Sequence, residues 1–451
     1  MSFPSFKNKR WILLVVLCVY YLSFLAVCGV IICGDSFYFQ TGSVRVSPVY
    51  PIVISLFRAI FSESGYEYPL IIFQELIMAY AVFSFTDALE KTTGTGRVIR
   101  WLTAGLIAFF FYAFRVILIG RDTDTVFCNA ILSEGIAYPL YLFVVKYLFL
   151  ALQEKKAGFL IPATVFTFLL TSTRGQMYWL LIALLIVFLT VTRGRSLRVR
   201  AKALIAAGLF VFCTFALSIG YHYFRSGSVT STTQASETFL TTVLYESAPE
   251  DIEKLDIGDM EKGILTDTLE YSKSNGWLSD SAPSDLIGAY RHYEDSFDRI
   301  RIYFLERVAS CYGYHDDTDT PGELLSMVCG ACSKAIPDLV GEHFGSYIRT
   351  RAINLIAGIV RSNSIFSKPG FIWSAFLYLV SIAILIVYGK GSRMVFLKLC
   401  LLLILLNSVF VSLGVFALSR YMYYNFPLHY AALLLSCYGI IGKRKGKQLS
   451  V

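Results

Sequence analysis

Apolar runs of about 20 residues recur along most of this 451-residue chain, each near the length an α-helix needs to cross a hydrocarbon core ~30 Å thick. In that medium a segment must satisfy its own backbone N–H and C=O groups, which leaves helices and closed barrels as the spanning solutions. Runs of this length read as helices. Hydrophobic residues make up 56% and charged residues 16% of the sequence, with mean hydropathy +0.60, far from the averages of water-soluble domains. The first run, Trp11 to Cys33, is longer than a signal-peptide core and has no small-residue cleavage site, so it reads as a retained helix.

The spans fall near 11–33, 69–90, 101–119, 129–152, 157–172, 176–192, 203–223, 371–389, 395–417 and 424–442. The cluster Lys7-Asn8-Lys9-Arg10 precedes the first, which places the N-terminus in the cytoplasm by the positive-inside rule. Alternation then puts Arg97 and Arg100, Lys155 and Lys156, Arg193 to Lys202, Lys390 and Arg393, and Lys443 to Lys447 on that same side. Both termini are therefore expected in the cytoplasm. The net charge of +8 is largely a property of these loops, and it gives no nucleic-acid signature.

Most acidic residues lie between Ser226 and Ile365 instead. The segment 224–370 is far too long for a structureless loop, and Tyr303, Phe304 and Leu305 near Val308, or Leu324 and Leu325 near Val328, have helical spacing. The expected fold is all-α: a polytopic membrane protein of about ten transmembrane helices with a mainly helical extracytoplasmic insert. Residues 1–223 form an N-terminal transmembrane module, 224–370 the extracytoplasmic domain, and 371–451 the last helices with a basic cytoplasmic tail. Val49 to Phe61 is apolar but short and carries Arg58, which suits a helix lying along the interface. In the insert, Cys329-x-x-Cys332 is one pair where a structural zinc wants four ligands. A disulfide to Cys311 or an idle thiol fits as well.

Candidate chemistry collects at one face. Asp35, in Gly34-Asp35-Ser36-Phe37-Tyr38, follows the first span, where a carboxylate ionises in water yet meets lipid-borne molecules. It could take the proton of an attacking hydroxyl, or be a solvated acid at a helix end. Tyr50, in Ser47-Pro48-Val49-Tyr50-Pro51, and Phe37, Tyr38, Tyr66 and Tyr68 could stack on sugar rings or form an interfacial belt. Arg121-Asp122-Thr123-Asp124 follows the third span; Asp122 and Asp124 could hold Mg²⁺ or Mn²⁺ through oxygen, or Arg121 could pair with them in a solvated loop. Glu134, after Ser133, opens the fourth span, either positioning a substrate or orienting an arginine, or simply favouring a helix N-terminus. Arg115, Arg174 and Arg420 sit at helix ends on this face, and guanidinium forks match phosphate geometry. The histidines show no metal-ligand spacing, and there is neither a Walker loop nor a Gly-x-Ser-x-Gly elbow.

In order, these pieces resemble the GT-C superfamily of membrane glycosyltransferases. The matching features are Asp35 in the first outer loop, Ser47 to Pro51 leading into an interfacial helix, Leu132-Ser133-Glu134, Thr173-Arg174-Gly175, and Ser419-Arg420-Tyr421 before Pro427. They span about residues 1–220 and 370–442. The resemblance implies inverting transfer of a sugar from a polyprenyl-phosphate donor at the outer membrane face, to an acceptor glycan, lipid or protein, with Asp35 as general base. It implies Glu134, Arg174, Arg420, Tyr421, Arg121 and Tyr50 as substrate contacts. Some branches of the family need a divalent metal; the lipid A and protein O-mannosyl types do not. This chain has one acid at Asp35 where those types have a pair, and its insert lies between helices, which leaves metal and acceptor open.

Two other readings stand beside it. An O-antigen-type polymerase or ligase would rely on Arg291, Arg299 and Arg301 of the insert. A transporter would place its charges near mid-membrane, whereas this chain gathers them at one face.

Overall fold

The computed structural model describes residues 10–43, 45–111, 129–194, 196–227, 229, 234–316, 320–389 and 391–448. The first half contains α1 (Arg10–Cys28), α2 (Gly34–Thr41), α3 (Val49–Phe61), α4 (Glu67–Thr93), α5 (Arg97–Phe111), α6 (Glu134–Glu154), α7 (Leu160–Thr171), α8 (Trp179–Val191) and α9 (Leu197–Ser226). The insert contributes α10 (Gln234–Leu244), α11 (Pro249–Ile252), α12 (Asp259–Ser274), α13 (Leu286–Cys311), α14 (Gly322–Cys332), α15 (Ile336–Glu342) and α16 (Phe344–Arg361). The chain closes with α17 (Lys368–Tyr388), α18 (Ser392–Gly414), α19 (Ser419–Met422) and α20 (Phe426–Gln448). Among the described residues the extended pairing is an isolated parallel bridge between Ile31 and Ala130. The fold is all-α.

Among the described residues, seven helical stretches are long and apolar enough to cross a membrane: α1, α4, α6, α17, Ile205–Arg225 within α9, Arg393–Gly414 within α18, and Gly322–Glu342. The last joins α14 and α15 through a short 3₁₀ turn. Its Leu325, Val328, Cys329, Cys332 and Leu339 are buried in a core with Leu240, Leu269 and Phe304 of the insert. That apolar face has protein to cover it. The ten expected spans fall on α1, α4 to α9, α17, α18 and α20. Of these α5, described as far as Phe111, α7 and α8, with their 3₁₀ lead-ins, and the apolar part of α20 are shorter than a full spanning helix.

Two boundaries differ from the sequence reading. The first helix stops at Cys28, because Gly29 takes φ +68°, a left-handed conformation that closes helices and suits glycine. Residues 29–31 then pair with 129–131: Ile31 N donates to the Asn129 carbonyl at 2.9 Å, and Ile131 N to that of Ile31 at 3.0 Å. The fourth expected span consequently begins at Glu134 rather than at 129, since its leading residues serve this bridge. The disulfide alternative is corrected too: no disulfide joins Cys311 to Cys329 or Cys332. Cys329 and Cys332 lie on the buried stripe of α14 and Cys311 is exposed, so the first two behave as small core hydrophobes.

The membrane part shares one large core drawn from α1, α4 to α8, α17, α18 and α20. The insert has its own, which also takes in Phe416 from the segment between α18 and α19. Phe297 of α13 sits 4.8 Å from Phe416, ring to ring. Through that contact the insert reaches the last hairpin of the membrane part.

Candidate functional site

Four connections deliver charged side chains to one place. After Gly29 to Cys33, Asp35 enters the first turn of α2, where the positive end of the helix favours a carboxylate. The bridge to Ile31 holds 129–131, so that Ser133 and Glu134 begin α6 beside it. Between α7 and α8 the backbone of Arg174 is extended (φ −146°, ψ 109°) before a 3₁₀ turn, and the Ser172 carbonyl accepts from Val49 N at 3.0 Å. Between α18 and α20, Arg420 and Tyr421 lie in the short helix α19.

The side chains form two ion pairs. Arg420 Nη1 lies 2.9 Å from Asp35 Oδ2, and Arg174 Nη1 lies 2.5 Å from Glu134 Oε1. Tyr421 stands between them, its ring centroid 5.2 Å from the Arg420 guanidinium carbon and 5.6 Å from that of Arg174. Such contacts add cation–π attraction. Arg174 Nη1 also donates to Ser133 Oγ at 3.2 Å, and that hydroxyl donates to Glu134 Oε2 at 3.2 Å.

The pairs differ in depth. The Asp35 and Arg420 side chains are 46% and 24% exposed, those of Glu134 and Arg174 only 2% and 11%. Burial pushes the Asp35 carboxyl up, but the charge and hydrogen bond of Arg420, with Arg301 and Arg174 farther away, outweigh it and hold its pKa below the usual carboxylate range. Burial would favour a neutral Arg174, yet the Glu134 carboxylate outweighs it and keeps the guanidinium charged. Arg420 is likewise held cationic against burial by Tyr421, Glu134 and Asp35. The two acids and two arginines cancel, leaving a neutral cluster. Arg420 Nε is buried without a hydrogen-bond partner, so that guanidinium retains a free donor.

Asp35, Glu134, Arg174, Arg420 and Tyr421 thus come together as the sequence order suggested. Tyr50 does not join them at their surface. It is fully buried, and its hydroxyl donates to Gln74 Oε1 at 2.7 Å, whose Nε2 in turn donates to the Ala130 carbonyl at 3.1 Å. Through Gln74 it supports the 129–133 turn from behind. Tyr66 is also buried and sits under Arg58, ring centroid to guanidinium 4.8 Å, whereas Phe37 and Tyr68 are exposed. Arg115, Arg121, Asp122 and Asp124 lie outside the described residues. Among the described residues no three His, Cys, Asp or Glu side chains are grouped to hold a metal ion.

Several supports were not singled out as such from the sequence. The Tyr138 hydroxyl donates to the Arg420 carbonyl at 3.3 Å, and Asn407 Nδ2 to that of Tyr421 at 3.0 Å. Asn354 of α16 donates to the Val415 carbonyl at 2.6 Å and accepts from Ala417 N at 2.7 Å. Arg361 spans Glu294 at 2.5 and 2.9 Å and donates to the Ala417 carbonyl at 2.9 Å. These bonds fix the approach to Arg420. Polar residues such as Gln74, Asn354 and Asn407 inside apolar or amphipathic helices are the signal that could have flagged them, since a buried amide needs partners.

No protein-family model matches the chain, and no curated protein does. Among solved structures it matches the crystal structure of ArnT from Cupriavidus metallidurans bound to undecaprenyl phosphate, at 13% sequence identity and a TM-score of 0.34. The match covers 95% of this chain and 78% of that one.

Proposed function

We propose that this membrane protein is a GT-C-like glycosyltransferase that moves a sugar from a polyprenyl-phosphate donor to an acceptor hydroxyl at the outer face of the membrane. The observation that carries the reading is the pair of ion pairs around Tyr421, with Asp35 and Arg420 accessible and Glu134 and Arg174 buried behind them. A phosphate and a base are both provided for within one cluster.

The donor phosphate would bind Arg420, through its unpaired Nε and the Nη1 now shared with Asp35, while Nη2 stays on the Tyr421 hydroxyl, and Arg174 from below. Glu134 and Ser133 hold Arg174 in place. A phosphate that takes Arg420 also releases Asp35 from the partner that depresses its pKa. The freed carboxylate then accepts the acceptor's hydroxyl proton as its oxygen bonds to the anomeric carbon. The bond from that carbon to the phosphate oxygen breaks on the opposite side, its electron pair leaves with the polyprenyl phosphate, and the configuration inverts. The arginines stabilise the charge on the leaving phosphate.

The test supplies membranes containing the protein with radiolabelled polyprenyl-phosphate sugars. Asp35→Asn should lower transfer by ~10²–10⁴-fold, and the product should carry the inverted anomer; near-normal transfer would remove Asp35 from this role. A second reading, the polymerase or ligase, draws on Arg301, whose charge acts on Asp35. Arg291 is exposed and Arg299 lies over Trp277 at 5.9 Å. If alanine at Arg301 abolished elongation of a lipid-linked glycan while Asp35→Asn spared it, the second reading would replace the first.

A further inference from the structure

Toward the other end of α4, roughly 24 Å along the helix from Gln74 to Glu90 at a rise of 1.5 Å per residue, lies a small cavity. It has a volume of about 60 Å³ and is lined by Arg10, Leu13, Glu90, Arg97, Arg100 and Trp101. Three arginines and one carboxylate line it, and Asp87, which also pairs with Lys91, is a second carboxylate within ion-pair distance of two of those arginines. Arg100 is 4% exposed, and its Nη1 serves Glu90 at 3.1 Å and Asp87 at 3.3 Å. Its Nε and Nη2 are buried with no hydrogen bond. A buried guanidinium that uses one nitrogen of three is an unusual expense, because unpaired buried donors cost free energy. Phe83 covers its face, 4.9 Å from the ring centroid.

Other observations point to the same kind of ligand. Arg97 is the first residue of the 15-residue helix α5, so the positive helix end opens beside the cavity, where anions are favoured. Arg10 reaches across from the start of α1, its guanidinium 3.8 Å from Asp87 and its side chain 52% exposed. Trp101 is 38% exposed, the amphipathic placement typical of a membrane interface. The cavity is several times the ~10–15 Å³ that one water needs on the same measure, which leaves room for a compact tetrahedral anion.

We infer that the cavity between the starts of α1 and α5 and the end of α4 binds a phosphate group, with Arg10, Arg97 and Arg100 as its cationic walls. The group comes either as free phosphate or as the headgroup of an anionic phospholipid seated at that face. Arg10 and Arg97, both exposed, swing toward the anion, while Arg100 is fixed beneath it by Asp87 and Glu90. The inference stands apart from the sugar-transfer reading, since it uses no residue of that cluster.

The experiment measures thermal unfolding of the purified full-length protein in detergent with inorganic phosphate, phosphatidylglycerol or phosphatidylcholine added at equal ionic strength. The wild type should gain stability with phosphatidylglycerol or inorganic phosphate and not with phosphatidylcholine. A gain with inorganic phosphate identifies the free ion as sufficient; a gain with phosphatidylglycerol alone identifies the headgroup. Arg97→Gln and Arg10→Gln, at exposed positions that a fold tolerates, should each cut the gain by half or more. Arg198→Gln removes the same charge from the exposed N-terminal turn of α9 and should leave the gain intact. Equal gains in wild type and the Arg10 and Arg97 variants, an equal loss in Arg198→Gln, or no gain with any probe overturns the inference.

Discussion

Asp35 and Arg420 stand 385 residues apart in the chain and 2.9 Å apart in space. The pair is ligand-sensitive by construction. It is partly exposed, and one of its members has a buried donor left over. Whatever anion reaches Arg420 competes directly with Asp35.

That competition sets an expected pH response. Arg420 holds the Asp35 pKa below the usual range against burial, so removing it lets the pKa rise. In Arg420→Gln the acid limb of kcat/KM for sugar transfer should move to higher pH. The rate at neutral pH should fall on the order of a hundredfold, as it does when one oriented donor is removed. Measured pH–rate profiles of wild type and variant decide this; an unmoved acid limb would separate Asp35 from Arg420 functionally.

The two carboxylates should differ in what they contribute to folding. Glu134 and Arg174 are 2% and 11% exposed, and truncating one member of a buried pair costs about 3–5 kcal/mol because the other charge is stranded. Asp35, 46% exposed, belongs to the class whose pairs are worth roughly 0–1 kcal/mol. Glu134→Ala should therefore lower the unfolding temperature and the yield of folded protein clearly, while Asp35→Asn should change them little. Thermal unfolding followed by size-exclusion profile measures both.

Gly135→Ala tests the support behind the site. A methyl group there would come 2.4 Å from Gln74, which holds both Tyr50 and the Ala130 carbonyl. Alanine in an ordinary helical position stabilises relative to glycine; here overpacking should destabilise by about 1–3 kcal/mol. A stability equal to or above wild type would show that Gln74 is free to yield.

In the insert, Asp251 accepts from Ala248 N at 2.7 Å and pairs with His343 Nε2 at 2.7 Å. Burial pushes its carboxyl up, but these bonds, with Lys254, outweigh it and hold the pKa below the ordinary value. A depressed carboxylate stabilises the fold above its unfolded-state pKa of about 3.9, and the contribution is lost as pH falls through the lower folded value. The unfolding temperature of wild type should drop more steeply than that of Asp251→Asn across that acidic window. Parallel curves would show that the carboxylate's charge is not used.

Much of the architecture was open to sequence reading because bilayer length is a one-dimensional constraint: ten apolar runs became ten helices. Their ends were less legible. Whether a run continues past Cys28 depends on Gly29 adopting positive φ and on Ile31 finding Ala130, a contact across about a hundred residues that no local pattern encodes. The convergence of Asp35, Glu134, Arg174, Arg420 and Tyr421 followed from their common sidedness. Tyr50 reads from sequence as a sugar-stacking residue or part of an interfacial belt, because an aromatic beside a proline at an interface looks alike whether it faces a ligand or, as here, a buried glutamine. The clamps by Asn354 and Arg361 had no specific signal beyond their polarity, since which main-chain groups they grip between 412 and 417 depends on the tertiary fold.

Those clamps have a consequence for how the molecule responds to force or alteration. Residues 412–417 are pinned to α16 through Arg351, Asn354 and Arg361, the last of which is also bolted to α13 through Glu294. No slack remains in the strap that ends at Arg420. A tilt of α13 that keeps the Glu294–Arg361 pair intact should therefore pull on the segment that leads to the Arg420 guanidinium.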